Sequence, residues 1–152
     1  RAQGEQITAM MSLETIAYYR HEPGSQHYPF PFNLFYPDTG HFIGFIGNLT
    51  SRPLVHQAIV AFRESTAFPS EGAAAPERIT GVGWSDHWSF WRSGYPAIMV
   101  TDTALFRYPH YHRATDTPDK IDYEGFARVT SGLVHVATDL AGKDTGFRRS
   151  RE

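Results

Sequence analysis

The sequence predicts an α/β fold in which helices cover a mixed sheet. Short apolar, β-prone runs at residues 7–19, 41–47 and 96–101 alternate along the chain with helix-like segments. Two of those segments repeat apolar residues three and four positions apart, which is typical of amphipathic helices. Because strands that alternate with helices favour one sheet with helices packed on its faces, functional loops are expected at the strand ends.

The composition is that of an ordinary globular domain. A chain of 152 residues has the usual size of one domain, its charged residues make up 20%, and its formal net charge is −2. Acidic and basic residues are mixed, so we expect neither nucleic acid nor a membrane surface as a partner. The chain has no cysteine. Any metal would therefore be bound by histidine, aspartate and glutamate side chains.

The first third of the chain predicts a strand followed by a long loop. Residues 7–19 predict a buried central strand that carries one carboxylate, Glu14, near its end. Glu14 is either a functional acid or a salt-bridged strand acid. Residues 21–40 contain repeated proline, glycine and aromatic residues, which predicts an irregular loop that covers a pocket or serves as packing.

The middle of the chain predicts a strand at 41–47 and then an amphipathic helix that ends before Pro69. Either Asn48 or Ser51 can cap this helix. The small residues at 70–76 predict a loop, and residues 78–83 predict a further strand. The apolar stripe that indicates the helix consists of Val55, Ala58, Ile59 and Phe62.

The last third predicts two more helices around one strand. Ser85 is suited to cap a short helix that runs through Trp91, and a strand at 96–101 follows. Asp122 is suited to begin the final helix, which ends near Gly142. Residues 143–152 predict a frayed tail. The stripe of the final helix is Phe126, Val129, Leu133, Val136 and Leu140.

The richest polar segment is FRYPHYHRATDTPDKID at residues 106–122. Its two prolines restrict the backbone, which favours an ordered loop over a helix. In an extended chain Tyr111 and His112 would point to opposite sides, so only a turn would bring them into one site. The alternative is a surface loop whose histidines and tyrosines satisfy local hydrogen bonds.

Two motifs in the second half resemble a known family. The segment GWSDHWSFWRSGYPAIMVTD at residues 83–102, followed by YHRATDTPD at 111–119, closely resembles the C-terminal part of the M28 family of zinc peptidases. Members of that family carry SDH-x-x-F, a Gly-x-Pro-Ala strand, Tyr-His or Ile-His and then Asp-Thr, in this order. Upstream, MMSLETIAYY at 10–19 resembles the family strand that delivers a carboxylate metal ligand. The resemblance covers roughly residues 8–140.

The resemblance implies an α/β/α sandwich around a mostly parallel sheet, here expected to be incomplete. The strand resembling Leu-Asp-Met-x-Gly has Glu14 at the aspartate position and Ala17 at the glycine position. The resemblance implies that Glu14 binds one zinc ion and His112 a second. It also implies that Tyr111 donates a hydrogen bond to the developing oxyanion. Asp116 and Thr117 would orient the ligand histidine, and the SDH motif would support the site without binding metal.

The family's first histidine, bridging aspartate and Glu-Glu pair have no counterpart in the sequence, since they precede the strand at which this chain starts. Because the chain also begins at Arg1 without a methionine, we expect a piece of a longer protein. Two ligands do not complete a catalytic zinc site, so we expect the isolated chain to be inactive.

Three functional interpretations follow. The first is the C-terminal portion of a zinc aminopeptidase that removes N-terminal residues from peptides once it is completed. The second is an acyltransferase of the glutaminyl-cyclase type, which shares the fold. The third is a non-catalytic fragment that associates with itself or with the missing N-terminal portion, because lost neighbours would leave strand edges and apolar surface uncovered.

Overall fold

A computed structural model describes residues 7–142 of the chain. The tail predicted at 143–152 lies outside the described residues. The elements are strand β1 (Met10–Glu14), strand β2 (Ile43–Gly47), helix α1 (Arg52–Ser65), strand β3 (Ser70–Ala74), helix α2 (His87–Arg92), strand β4 (Ala97–Thr101) and helix α3 (Tyr123–Gly142). Short 3-10 turns lie at Phe32–Leu34, Ala104–Phe106 and Pro118–Lys120.

The four strands form one open mixed sheet in the order β1-β4-β2-β3. The pairs β1/β4 and β2/β3 are parallel, and β2/β4 is antiparallel. One end of the sheet therefore combines the carboxyl ends of β1 and β4 with the amino ends of β2 and β3. The α/β fold and the mixed, mostly parallel sheet predicted from the sequence are confirmed.

Helices α1 and α3 cover one face of the sheet. The side chains of Ile43 and Phe45 on β2, and of Ile98 and Val100 on β4, are fully buried against these helices. On the other face, Ala97 packs with Trp91 of α2 and with loop residues. Alternate residues of each strand thus point into two apolar layers, one on each face of the sheet. This gives the expected arrangement of helices on both sides of a sheet.

Two strand and loop predictions in the middle of the chain are wrong. The segment predicted as a loop at 70–76 contains β3, and the segment predicted as a strand at 78–83 forms consecutive turns. Packing explains β3: Gly72 lies under Ile59 and Val55 of α1, where an added Cβ would be 3.3 Å from each side chain. Small residues therefore suit this strand because α1 lies so close to it.

The helices begin close to the predicted residues, but not all of the predicted capping hydrogen bonds are formed. The Asp122 carboxylate accepts a hydrogen bond from the amide of Gly125 at 2.9 Å, as a capping residue of α3 does. Ser51 is the residue before α1, yet its side chain makes no capping bond, and Asn48 instead accepts from the Ser51 amide. Helix α2 begins at His87, one position later than a cap at Ser85 would give.

Strand β1 lies at the edge of the sheet within residues 7–142, whereas the sequence predicted a central strand buried on both sides. Its hydrogen-bonded neighbour in the described part of the chain is β4. As a result Leu13 of β1 is 55% exposed, although it points to the same face as the buried Val100. The apolar residues of β1 are therefore only partly covered.

None of the helices in the described part of the chain is both long enough and apolar enough to cross a bilayer.

Helices α1 and α3 meet so closely that one glycine is required. A Cβ added at Gly132 of α3 would lie 2.7 Å from Cδ2 of Phe62 and 3.0 Å from Cγ2 of Thr66. We expect Gly132→Ala to lower the free energy of unfolding by about 1–3 kcal/mol, because the fully buried Phe62 has no room to move. Urea denaturation followed by circular dichroism would measure the change.

The matched control is Gly142→Ala in the same helix, where an added Cβ meets no atom of residues 7–142 within 4 Å. This variant should be neutral or stabilised by up to about 1 kcal/mol, since alanine has the higher helix propensity. Equal stability of the two variants would show that α1 and α3 do not pack as described.

Candidate active site

Glu14 lies where β1 ends and the chain changes direction. The next residue, Thr15, has φ of 47°, a left-handed conformation that a β-branched residue rarely adopts. Its carbonyl accepts a hydrogen bond from the amide of Asp102 at 2.8 Å, which fixes the turn to the end of β4. Strained backbone of this kind is found disproportionately at functional sites, where the surrounding structure holds it in place.

The Glu14 carboxylate is oriented by the SDH motif. Ser85 donates a hydrogen bond from Oγ to Oε2 of Glu14 at 3.1 Å, and Oγ of Ser12 lies 2.7 Å from Oγ of Ser85. Ser12 and Glu14 are two positions apart on β1 and therefore point to the same face. Ser85 was predicted to cap a helix, and the resemblance assigned the SDH motif only a general supporting role. In the structure Ser85 positions the Glu14 carboxylate.

Asp102 was missed as a positioning residue by the sequence reasoning. It is 1% exposed, and its carboxylate accepts hydrogen bonds from the amides of Ala17 and Tyr18 at 3.0 and 2.9 Å and from the amide of Ala104 at 3.2 Å. One buried side chain therefore connects the segment after β1 to the segment after β4. The available signal was an acidic residue directly after a strand that is apolar up to its last residue, Thr101, since aspartate next to such a strand is seldom buried without a partner.

Arg107 supports the same region from inside the protein. Its Nη1 donates to the carbonyls of Tyr18 and Phe42, at 3.2 and 2.9 Å, and its Nε donates to Gln26 at 2.7 Å. Burial lowers the pKa of Arg107 to about 10, and the nearby charge of Asp102 opposes that shift. The guanidinium also lies 4.5 Å from the ring centroid of Phe42, a favourable position for a cation over an aromatic face.

A turn brings Tyr111 and His112 together. His112 has φ of 55°, and the two rings stack with centroids 3.9 Å apart and planes inclined by 17°. This is the turn that the sequence required for the two side chains to share a site. His112 is exposed, and neither of its ring nitrogens has a hydrogen-bond partner in the described part of the chain.

The remainder of the loop is held by its own side chains. Tyr108 donates a hydrogen bond to Asp116 at 2.6 Å, and Nδ1 of His110 lies 2.8 Å from Oγ1 of Thr115. Asp116 therefore fixes the base of the loop that presents His112, which agrees with the loop-fixing role implied for it. Thr117 bonds to the neighbouring Asp119.

His87 of the SDH motif is buried in the core. It is 0% exposed, its Nε2 lies 2.7 Å from the carbonyl of Val82, and it packs edge-on against Trp91. Since a carbonyl only accepts, Nε2 must carry the hydrogen. Burial lowers the pKa of His87, which favours the neutral ring. The side chain is therefore a core residue that anchors α2.

Glu14 and Tyr111 line one pocket of about 110 Å³ on the face of the sheet opposite α1 and α3. Burial, and then the charge of Glu14, raise the pKa of the Tyr111 hydroxyl, so the hydroxyl stays protonated. His112 is not among the lining residues, but its ring stacks on that of Tyr111. Other lining residues are Tyr28, Phe32, Tyr36, Phe42, Gly44, Ile46, Glu71, Val82, Met99 and Thr101.

Within residues 7–142, no three histidine, aspartate or glutamate side chains lie together as a closed metal site requires. The ligand roles of Glu14 and His112 therefore stay predictions. Their chemistry suits zinc, since carboxylate oxygen and imidazole nitrogen are ordinary zinc ligands. Oε1 of Glu14 has no hydrogen-bond partner in the part of the chain that the structure describes, so it is available to a ligand.

Comparison with solved structures gives the same fold. Two crystal structures of the LapA aminopeptidase of Legionella pneumophila superpose with a TM-score of 0.68 at 18% identity. The superposition covers 93% of this chain and 33–34% of those chains. At this identity the match shows the fold, and the chain corresponds to about a third of each enzyme.

Sequence comparison finds relatives that are much longer than this chain. The protein YfbL of Escherichia coli is 38% identical over 129 residues, which is 84% of this chain and 40% of that protein. A probable leucine aminopeptidase of Arthroderma otae is 43% identical over 63 residues, or 40% of this chain and 17% of the relative. The model of peptidase family M28 matches residues 3–137, which is most of the sequence. The chain therefore belongs to peptidase family M28.

Proposed function

We propose that the chain is the C-terminal portion of a zinc-dependent aminopeptidase that hydrolyses N-terminal residues from peptides. The observation that supports this most is that Glu14 and Tyr111 line one pocket while His112 stacks on Tyr111, with ligand atoms of Glu14 and His112 unpaired in the described residues. Membership of a peptidase family and similarity to aminopeptidases support the reaction class.

The three residues have two kinds of role in this proposal. Glu14 and His112 would hold zinc, and a zinc ion there would polarise the scissile carbonyl and lower the pKa of a bound water molecule. Ser85 keeps Oε2 of Glu14 in place, which leaves Oε1 for the ion. The Tyr111 hydroxyl remains protonated and donates a hydrogen bond to the substrate oxygen as negative charge develops on it.

We further propose that completion by other metal ligands and by a separate general base is needed for activity. A catalytic zinc site uses at least three protein ligands, whereas Glu14 and His112 supply two. The chain spans about 40% of the length of YfbL, so the relative has room for the remaining groups. Because β1 is an edge strand with Leu13 largely exposed, the covering partner is either such an additional segment or a second copy.

The ligand proposal is tested in the complete gene product. Glu14→Gln and His112→Ala should each lower kcat/KM for an aminoacyl anilide by more than about 100-fold, because loss of even an outer group around a metal costs 10–100-fold. Zinc content, measured by mass spectrometry, should fall in both variants. The controls are Glu64→Gln and His56→Ala on the exposed side of α1, which should retain activity. Zinc-independent hydrolysis, or cyclisation of glutaminyl peptides in place of hydrolysis, would contradict the proposal.

The Tyr111 proposal predicts a separation of kinetic constants. Tyr111→Phe keeps the ring that stacks on His112 and removes the hydroxyl, so kcat should fall by about 10- to 100-fold while KM changes little. Tyr123→Phe, which alters an exposed tyrosine, should leave both constants unchanged. A loss confined to KM would show that Tyr111 binds substrate without stabilising the transition state.

The isolated 152-residue chain tests the need for completion. We expect no cleavage of aminoacyl anilides, weak zinc binding, and an oligomer in light scattering at low concentration. The reasons are the two-ligand site and the uncovered edge of β1. A monomer with activity that His112→Ala abolishes would overturn both parts of this expectation.

A further inference from the structure

A single row of paired residues crosses the sheet at the site. Glu14 of β1 pairs with Thr101 of β4, Thr101 pairs with Gly44 of β2, and β2 Gly44 pairs with Glu71 of β3. Paired residues on neighbouring strands point to the same face of a sheet. All four therefore face the pocket, and all four line it.

The two glutamates of the row lie at opposite ends of the pocket. Three strand spacings of about 4.8 Å separate their backbone positions by about 14 Å. Paired metal ions in hydrolases lie only about 3.5–4 Å apart, so Glu71 is too distant to serve the same metal centre as Glu14. Glu71 therefore does not belong to a metal centre with Glu14, and its position in the pocket has a different explanation.

Glu71 has no direct partner for its charge among the described residues, and the nearby hydroxyls of Tyr28 and Tyr36 donate to backbone carbonyls instead. Its carboxylate is half-buried and makes no hydrogen bond or ion pair with other described residues, and burial raises its pKa. The cation that acts on it most, Arg63, donates its hydrogen bonds to Ser70, whose side chain points to the opposite face. A half-buried carboxylate without a partner is unfavourable unless a ligand supplies a donor.

The space between the two glutamates suits an extended side chain. Gly44 occupies the middle of the row, and a Cβ there would lie 3.3 Å from the carbonyl oxygen of Thr101. A Cβ there would also lie 3.6 Å from Cδ1 of Ile46, so a ligand that crosses Gly44 would lie on the backbone and on the Ile46 side chain. Apolar groups, including Met99 and Ile46, line the path on the same face. An aliphatic stem would therefore contact apolar surface while a charged end reaches Glu71.

We propose that Glu71 is the specificity-determining residue of this pocket, and that it selects peptides with lysine or arginine at the N-terminus. The inference rests on the proposed aminopeptidase function. The scissile bond lies at the Glu14 end, the aliphatic stem of the N-terminal residue crosses Gly44, and its ammonium or guanidinium group binds the Glu71 carboxylate. The two acidic ends of the pocket thus have different tasks.

The test compares lysyl and norleucyl anilides, because norleucine has the stem of lysine without the ammonium group. In the complete gene product, kcat/KM should favour the lysyl substrate, and Glu71→Gln should reduce the lysyl-to-norleucyl ratio about tenfold or more, as expected for a lost charged hydrogen bond. Activity on the norleucyl substrate should persist, which shows that the variant is folded. Glu64→Gln is the matched control and should leave the ratio unchanged.

Two kinetic outcomes would overturn the inference while the proposed function stands. An unchanged ratio in Glu71→Gln would show that the carboxylate does not contact the side chain. An equal loss on both substrates would place Glu71 at a group that they share, such as the α-amino group.

If the protein cleaves neither substrate, the aminopeptidase proposal fails and calorimetry decides the inference separately. Lysinamide should then bind more tightly than norleucinamide, and Glu71→Gln should remove the difference. Equal affinity of the two amides for the unsubstituted protein would refute a cation-selective pocket.

Discussion

The site depends on the buried carboxylate of Asp102. Three backbone amides, from the segments that follow β1 and β4, donate to it, so a single acidic group holds two chain reversals in contact. Nearby, Arg107 binds the carbonyl of Tyr18, in the segment after β1, and that of Phe42, just before β2. It offsets the negative charge without forming a direct ion pair in the described residues. Together these groups convert loop ends with unfavourable backbone angles into a fixed platform for Glu14.

Local sequence patterns predicted the helices, whose hydrogen bonds and apolar faces are formed by residues close together in the sequence. The apolar stripes of α1 and α3 were sufficient to identify both helices, because a helix of this kind buries one continuous face. Strand β3 was not predictable in this way. Its sequence SEGAA lacks β-branched and aromatic residues, and it forms a strand because β2 pairs with it and α1 packs over Gly72.

The same distinction applies to the site. The sequence showed that Tyr111 and His112 need a turn to share a site, and the resemblance supplied candidate roles for both residues, but the turn itself is seen only in the structure. By contrast, the contacts of Ser85 with Glu14 and the pairing of Gly44 with Glu71 join residues that are far apart along the chain. No periodicity or spacing encodes such contacts. The buried roles of Asp102 and Arg107 were likewise not predicted, although both are charged residues next to apolar or aromatic segments.

The strand order places the two ends of the pocket on strands that each have one hydrogen-bonded neighbour in the described part of the chain, β1 and β3. The middle of the pocket lies on β4 and β2, which are paired on both sides. Edge strands open by local unfolding more readily than central ones, because fewer bonds must break. The floor of the pocket is thus its most rigid part, and the Glu71 end, unlike the Glu14 end that Asp102 and Ser85 fix, can move outward to admit a longer side chain without disruption of the core.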